Sequence, residues 1–357
     1  MKNLRRWLIR SLWTLGVASV LLVLVVLDFL RFGGVFTDLP TTQATSCLSI
    51  PLSGSAEDIQ IDRERKLLYL SLLDRRALVT GQGYDGDIGV VNLTDPALGP
   101  VSALAEVPEG FRPHGMSLYR MPDGSHRLFV INHPPDGEHV IEVFEQPLTG
   151  GTFARIASFR DPLFQSPNAI VATGPDQFYV INDSGAHHFL DRLRETVFRA
   201  GLSTLIFFDG ETARLAAKGL KSGVGLAISP DGRMIHIAET LGKRLAQFER
   251  DPRTNELSPA GYMPTPGSPD NIQIDPAGVL WVAVHPKLLD LVRHFGDPLH
   301  PAPTLVLKGG ETWQTAHMNP GDLLSAGSVG VADDGMLWIG SITESKILQC
   351  ALQGDAP

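Results

Sequence analysis

Residues 270–286 read DNIQIDPAGVLWVAVHP: a short apolar strand, a tight Asp/Pro/Gly turn, and a second apolar strand. Five other stretches repeat that order. They are EDIQIDRERKLLYLSLL at 57–73, HGMSLYRMPDGSHRLFVINHP at 114–134, NAIVATGPDQFYVIND at 168–183, GLAISPDGRMIHIAET at 225–240 and GSVGVADDGMLWIGSIT at 327–343. The turns fall near Asp62, Asp123, Asp176, Asp231, Pro276 and Asp334. The unit recurs about every 54 residues, a spacing in the range of propeller blades. Six units predict an all-β fold, a six-bladed β-propeller. In a propeller the innermost strands line a central channel. The residues that open the units are therefore expected to converge on one axis: Glu57 and Asp58, His114, Asn168, Gly225, and Asp270 with Asn271.

The chain has 357 residues, long enough for one large propeller, and 43% hydrophobic content gives it ample core. Its 36 glycines and 26 prolines suit a fold with many turns. Two stretches without strand signal, 195–203 and 288–304, read as insertions near the channel mouth. The first residues are a separate matter. Lys2, Arg5, Arg6 and Arg10 precede an uncharged run at 11–27, at the short end of what spans a bilayer. A secretory signal has the same layout, but no A-x-A site follows the run. An uncleaved anchor is the favoured reading, with a cleaved signal and a buried helix as alternatives. The expected division is a basic cytoplasmic N-terminus at 1–10, a transmembrane anchor at 11–30, a linker at 31–46 and the propeller at 47–357. The basic flank predicts that the propeller lies outside the cytoplasm, periplasmic or extracellular.

Net charge is −9 although the first residues are basic, so the head is strongly acidic. That argues against nucleic acid as a partner and fits a soluble, monomeric, cation-binding head on a membrane stalk. The two cysteines lie just before the first unit (Cys47) and at the end of the last strand (Cys350). In a propeller the first and last strands meet, so a Cys47–Cys350 disulfide closing the ring is expected, in an oxidising compartment. Two unrelated buried thiols are the alternative.

Glu57 and Asp270 supply carboxylates, and Asn168 and Asn271 supply amide oxygens. An oxygen-only set suits Ca²⁺. Each residue alone reads as an ordinary turn or surface position; their recurrence at the same place in separate repeats favours a shared site. His114 opens the second unit and His133 ends the next strand of that unit, so the two can stack near the mouth. One could take a proton from water while the other holds its tautomer; a structural pair bonded to backbone is the alternative. His285 holds the matching position in unit five, and His187 and His188 lie in a loop that could line the pocket or face solvent. The nucleophile elbow, the H-E-x-x-H motif and the phosphate-loop and dinucleotide fingerprints are absent. That leaves metal-assisted chemistry or binding alone.

From Cys47 to Cys350 the chain resembles the paraoxonase/arylesterase family, through AEDIQI, RPHGMS, FVINHP, PNAIVATGPDQFYVIND, ISPDGRMIHIAE, DNIQIDP and LWVAVHP in that order. The family is similar to gluconolactonases and strictosidine synthases in its six-bladed fold. The resemblance implies calcium-dependent hydrolysis of aryl esters or lactones, with a catalytic calcium at the mouth and a structural calcium deeper in. Glu57, Asn168, Asp270 and Asn271 match catalytic-calcium ligands; Asp58 and the carbonyl of Met116 match structural-calcium ligands. His114 and His133 match a histidine dyad, and Cys47 and Cys350 match the family disulfide. Two positions depart. Val224 stands where the family has an amide ligand, and Ala169 where it has a carboxylate. The deeper site is therefore expected to be weak or empty. A non-catalytic propeller that binds a ligand or protein partner is the alternative function.

Overall fold

The structure is a computed structural model that describes residues 2–39, 46–82, 85–96, 99–310 and 312–352, without the side chains of residues 2–5, 8, 9 and 79. The Lys2 and Arg5 side chains, residues 40–45 of the expected linker and the last residues of the propeller span lie outside that description.

Six four-stranded antiparallel sheets form the blades. The innermost strands are β2 (Ser55–Asp62), β6 (Pro113–Arg120), β10 (Pro167–Ala172), β14 (Gly223–Ile228), β18 (Ser268–Ile274) and β22 (Gly327–Asp333). Each is followed across one of the expected turns by its antiparallel neighbour, as β18 is by β19 (Leu280–His285). Blade six is completed from the other end of the chain. Its order is β1 (Cys47–Pro51), β24 (Lys346–Ala351), β23 (Met336–Ser341), β22, with Cys47 opposite Cys350. The two cysteines are bonded, across a sequence separation of 303 residues. His317 packs beside this seam, its Nδ1 3.9 Å from Cys47 Sγ.

One apolar cluster fills each junction between neighbouring blades. Ile59 and Trp338 meet between blades six and one, and Phe129 and Phe178 between two and three. This is what alternation dictates: each blade is apolar on both faces, and only a ring of blades covers them all.

Among the described residues three short α-helices interrupt the blades: α2 (Arg75–Val79), α3 (Phe189–Phe198) and α4 (Leu288–Gly296). Each follows the second strand of an odd-numbered blade, which puts all three at the end where the innermost strands begin. The expected insertions at 195–203 and 288–304 thus begin as helices; the five-residue α2 was not foreseen.

The N-terminal helix α1 runs Lys2–Phe32, past both ends of the expected 11–30 anchor. Residues Arg10–Phe32 are long and apolar enough to cross a membrane, and none of that stretch is buried in the protein. Its C-terminal end is fastened to the mouth side. Asp28 pairs with Arg199 at 2.5 Å, and the Phe32 ring lies under Arg199 and Lys243. Leu289 donates its N–H to the Gly33 carbonyl. Gly34, at φ +82°, sits so close that a Cβ would fall 2.5 Å from the Pro286 carbonyl oxygen. Only glycine accepts both that conformation and that approach.

Candidate active site and metal centre

In every blade the ladder between the innermost strand and its neighbour slips at the mouth end. The slips fall at Ala56/Ile59, Pro113/Met116, Pro167/Ala169, Gly223/Gly225, Pro269/Ile272 and Gly327/Val329. The residues passed over are Glu57 and Asp58, His114 and Gly115, Asn168, Val224, Asp270 and Asn271, and Ser328. A bulge frees its residue from the ladder and re-aims the side chain. Six bulges around one ring therefore turn these side chains toward one axis. Glycines let the blades close at that level: a Cβ on Gly115 would fall 2.4 Å from the Asn168 carbonyl oxygen, and one on Gly225 2.3 Å from that of Asp270.

Glu57 is the centre of the site. Its Oε1 accepts from Asn271 Nδ2 at 2.8 Å; its carbonyl accepts from the same nitrogen and from Ser328 Oγ at 2.7 Å. Its Oε2 is buried and accepts no hydrogen bond; His114 Nε2 lies 3.5 Å away. Asn168 Oδ1 is likewise buried without a partner, while its Nδ2 points to Asp183 at 3.5 Å. Asp270 Oδ2 lies 2.8 Å from His285 Nε2. Arg75, the first residue of α2, donates to the Pro113 carbonyl and to Ser55.

Burial alone would push Glu57 upward, but His114, Arg75 and the Asn271 hydrogen bond hold it below the usual carboxylate range. Asp270 is pushed up by burial, with His285 opposing. Glu57 and Asn168 each leave a buried oxygen lone pair unused, an arrangement that costs free energy unless something fills it. All donors are oxygens. With Asp270 and the Asn271 amide oxygen, the set fits a hard cation such as calcium.

The deeper position does not fit a second one. Both Asp58 oxygens are already taken: Oδ1 accepts from Ile59 N–H and Oδ2 from Met116 N–H, each at 2.7 Å, with Gln60 Nε2 close to both. Burial and the neighbouring Glu57 push Asp58 up to about 7. Met116 meets it through its amide rather than its carbonyl. The family's second carboxylate is Ala169, which lines the channel here among apolar neighbours. The channel cavity beneath the mouth is about 230 Å³.

His114 Nδ1 lies 3.0 Å from His133 Nε2, with the rings edge to face. His133 continues to His139, Nδ1 to Nδ1 at 2.8 Å. Burial, then the neighbouring His114, His139 and Arg75, holds His133 well below the ordinary imidazole range.

Comparison with known proteins agrees with this geometry. The Arylesterase family profile matches residues 103–352. The chain belongs to the arylesterase family. Serum paraoxonase/arylesterase 1 of Homo sapiens is 31% identical over 252 residues, 68% of this chain and 69% of that protein. Serum paraoxonase/arylesterase 2 of Rattus norvegicus is 29% identical over the same length, with the same shares covered. A solved luciferin-regenerating enzyme shares the fold, with a TM-score of 0.54 at 13% identity, over 87% of this chain and 96% of that one. Membership in the arylesterase family supports a hydrolase acting on a small molecule.

Four residues at this arylesterase-family site were not anticipated as site residues: Arg75, Asp183, Ser328 and His139. Ser328 is the blade-six counterpart of Asp58, the residue just before the ladder resumes, and could have been found by aligning the sixth repeat with the first. Arg75 and His139 sit in connections outside the repeat, and Asp183 is the last residue of the third unit. Of the residues left open, His285 pairs with Asp270, whereas His187 and His188 are exposed.

Proposed function

We propose that the protein is a calcium-dependent hydrolase of aryl esters or lactones that works at the channel mouth. The observation that carries this reading is the pair of buried, unpartnered oxygens on Glu57 and Asn168, beside an imidazole, in a chain of this family. Glu57, Asn168, Asp270 and Asn271 would hold the ion. An ion held there would supply Lewis acidity to the substrate carbonyl and to the oxyanion developing on it. The chain's own residues do the proton chemistry. His114 Nε2 faces the mouth and takes a proton from the attacking water. His133 fixes the His114 ring from behind. Arg75, with Glu57, sets the charge around them.

The helix α1 is read as a retained anchor, with its basic end in the cytoplasm and the propeller outside. The salt bridge and backbone bond that fasten its end to the head support retention over cleavage. Protease added to intact cells or spheroplasts should reach the head.

The deciding experiment is turnover of phenyl acetate and of simple lactones by the purified protein, with calcium and after chelation. Calcium-dependent turnover is expected. The second reading, a propeller that binds without catalysis, draws on Val224, which packs into the apolar cluster between blades four and five where the family has an amide ligand. No calcium binding at millimolar concentration, with no turnover, would establish that reading instead.

A further inference from the structure

The β7 strand (His126–Asn132) turns back into β8 (Val140–Gln146), and the last pair in register is Asn132 with Val140. His133 and His139 are the next residues outward on the two arms, so the hairpin places them face to face. Their rings meet edge to face, with centroids 4.8 Å apart, and the Nδ1 atoms are 2.8 Å apart. With the contact between His133 and His114, this makes a continuous row of three imidazoles.

Two ring nitrogens at such a distance must share a hydrogen. The row has two such contacts, and a neutral His133 has one hydrogen to give. In one arrangement His114 donates to His133 and His133 donates to His139, which leaves the His114 Nε2 lone pair facing the mouth. In the other, every donation is reversed and His114 Nε2 carries the hydrogen. The outer end of the row reaches the surface. His139 is half-buried and lines a surface depression of about 390 Å³ with Gly137, Glu138, Arg160, Asp161 and Phe164. The charged groups beside it are Glu138, which pairs with Arg160 at 3.4 Å, and Asp161. Arg75 acts on the row from the side of α2.

We propose that His139 is the solvent end of a three-histidine proton relay, a positioning residue whose tautomer decides whether His114 faces the mouth as base or as acid. The proposal rests on the hydrolase reading above. In the outward step water gives a proton to His114 Nε2 as its oxygen bonds to the carbonyl carbon. The proton on His114 Nδ1 passes to His133 Nε2, that on His133 Nδ1 passes to His139 Nδ1, and His139 Nε2 releases one to solvent. In the inward step solvent protonates His139 Nε2, the same two transfers reverse, and His114 Nε2 delivers its proton to the leaving alkoxide. Each N–H broken is matched by one formed, the row returns to its starting state, and the product acid loses its proton to water at the mouth. Burial suits His133 to this role, since it disfavours holding a charge midway.

The test uses the full-length protein and two variants, His139→Phe and His139→Asn. Asparagine can still bond to His133 Nδ1 but cannot pass a proton through itself. We expect kcat to fall about tenfold or more in both, with KM and calcium affinity unchanged. Imidazole in the buffer should restore the rate of the phenylalanine variant. In the ¹⁵N spectrum of the parent, a coupling across the hydrogen bond should join His133 Nδ1 to His139 Nδ1. Unchanged kcat in both variants, or full activity in the asparagine variant, would overturn the relay. So would absence of that coupling, which is read without substrate. A parent that shows the coupling but hydrolyses no ester or lactone would leave the row intact and sink the hydrolase reading alone.

Discussion

The mouth of the channel and the seam of the ring are built to opposite ends. At the mouth, ladders slip, carboxylates are buried, and two oxygens go without hydrogen bonds. At the seam, β1 pairs with β24 in unbroken register over five residues, the disulfide crosses it, and apolar clusters close over both faces. Even the imidazoles differ. His114 at the mouth faces a carboxylate, whereas His317 at the seam is held at about 4 by burial. A propeller can leave polar groups unsatisfied at one place because its ring is locked at another. Local strain at a site persists only where the surroundings over-determine it.

Cutting the lock should have the largest effect. With a sequence separation of 303 between the cysteines, loop entropy puts the loss in Cys350→Ala at about 6 kcal/mol at most. We expect Tm to drop by roughly 10 °C or more, with calcium affinity of the folded protein unchanged. A variant that melts like the parent would show that strand pairing alone carries the seam. Next is the mouth. Asp270→Ala removes one of two balancing carboxylates, so calcium affinity by calorimetry should fall about a hundredfold or more. The calcium-free protein should melt close to the parent. Calcium binding that survives this change unaltered would mean the ion sits elsewhere.

Acid should find the seam. The folded pKa of His317 lies below an ordinary imidazole's 6.5, at about 4. The unfolded chain therefore binds the extra proton first, and stability is lost as pH falls through 6.5 toward 4. The loss is about 3 kcal/mol. Denaturant titrations of parent and His317→Gln across that window should converge as pH falls; parallel curves would mean that His317 protonates freely in the fold. The smallest effect is expected from Val224→Asn, which restores an amide oxygen at the blade-four bulge. It should tighten calcium by roughly threefold to tenfold and leave Tm within about 1 °C. Weaker binding would mean that the bulge there does not aim its side chain inward.

These contrasts also divide what could be read in the chain from what could not. The blades were legible because each hairpin announces itself locally, by two apolar runs and a turn of Asp, Pro and Gly. Glu57, His114, Asn168, Asp270 and Asn271 were legible because they recur at one place in that repeat. Arg75 was not, because a helix of five residues leaves no periodic trace. Its guanidinium reaches the site only through the path of the chain after β3 (Leu67–Leu73). His139 was hidden for a different reason. Its position follows from the register of Asn132 with Val140, and a loop of Pro, Pro, Asp, Gly and Glu does not by itself reveal that its two flanking histidines touch. The exact slip in each ladder was invisible too, though it is what turns the polar residues inward.

The β1–β24 pairing also governs how the protein is made. Cys47 emerges 303 residues ahead of its partner. At cellular synthesis speeds of about 5–20 residues per second, the intervening 303 residues take roughly 15 s to 1 min. For that time the first strand has no sheet to join, and five blades must stack without a closed ring. A chain with two cysteines has a single intramolecular bond to form, so any wrong bond must join two chains. Crowding of nascent chains, rather than scrambling within one, is the route by which this ring would fail to close.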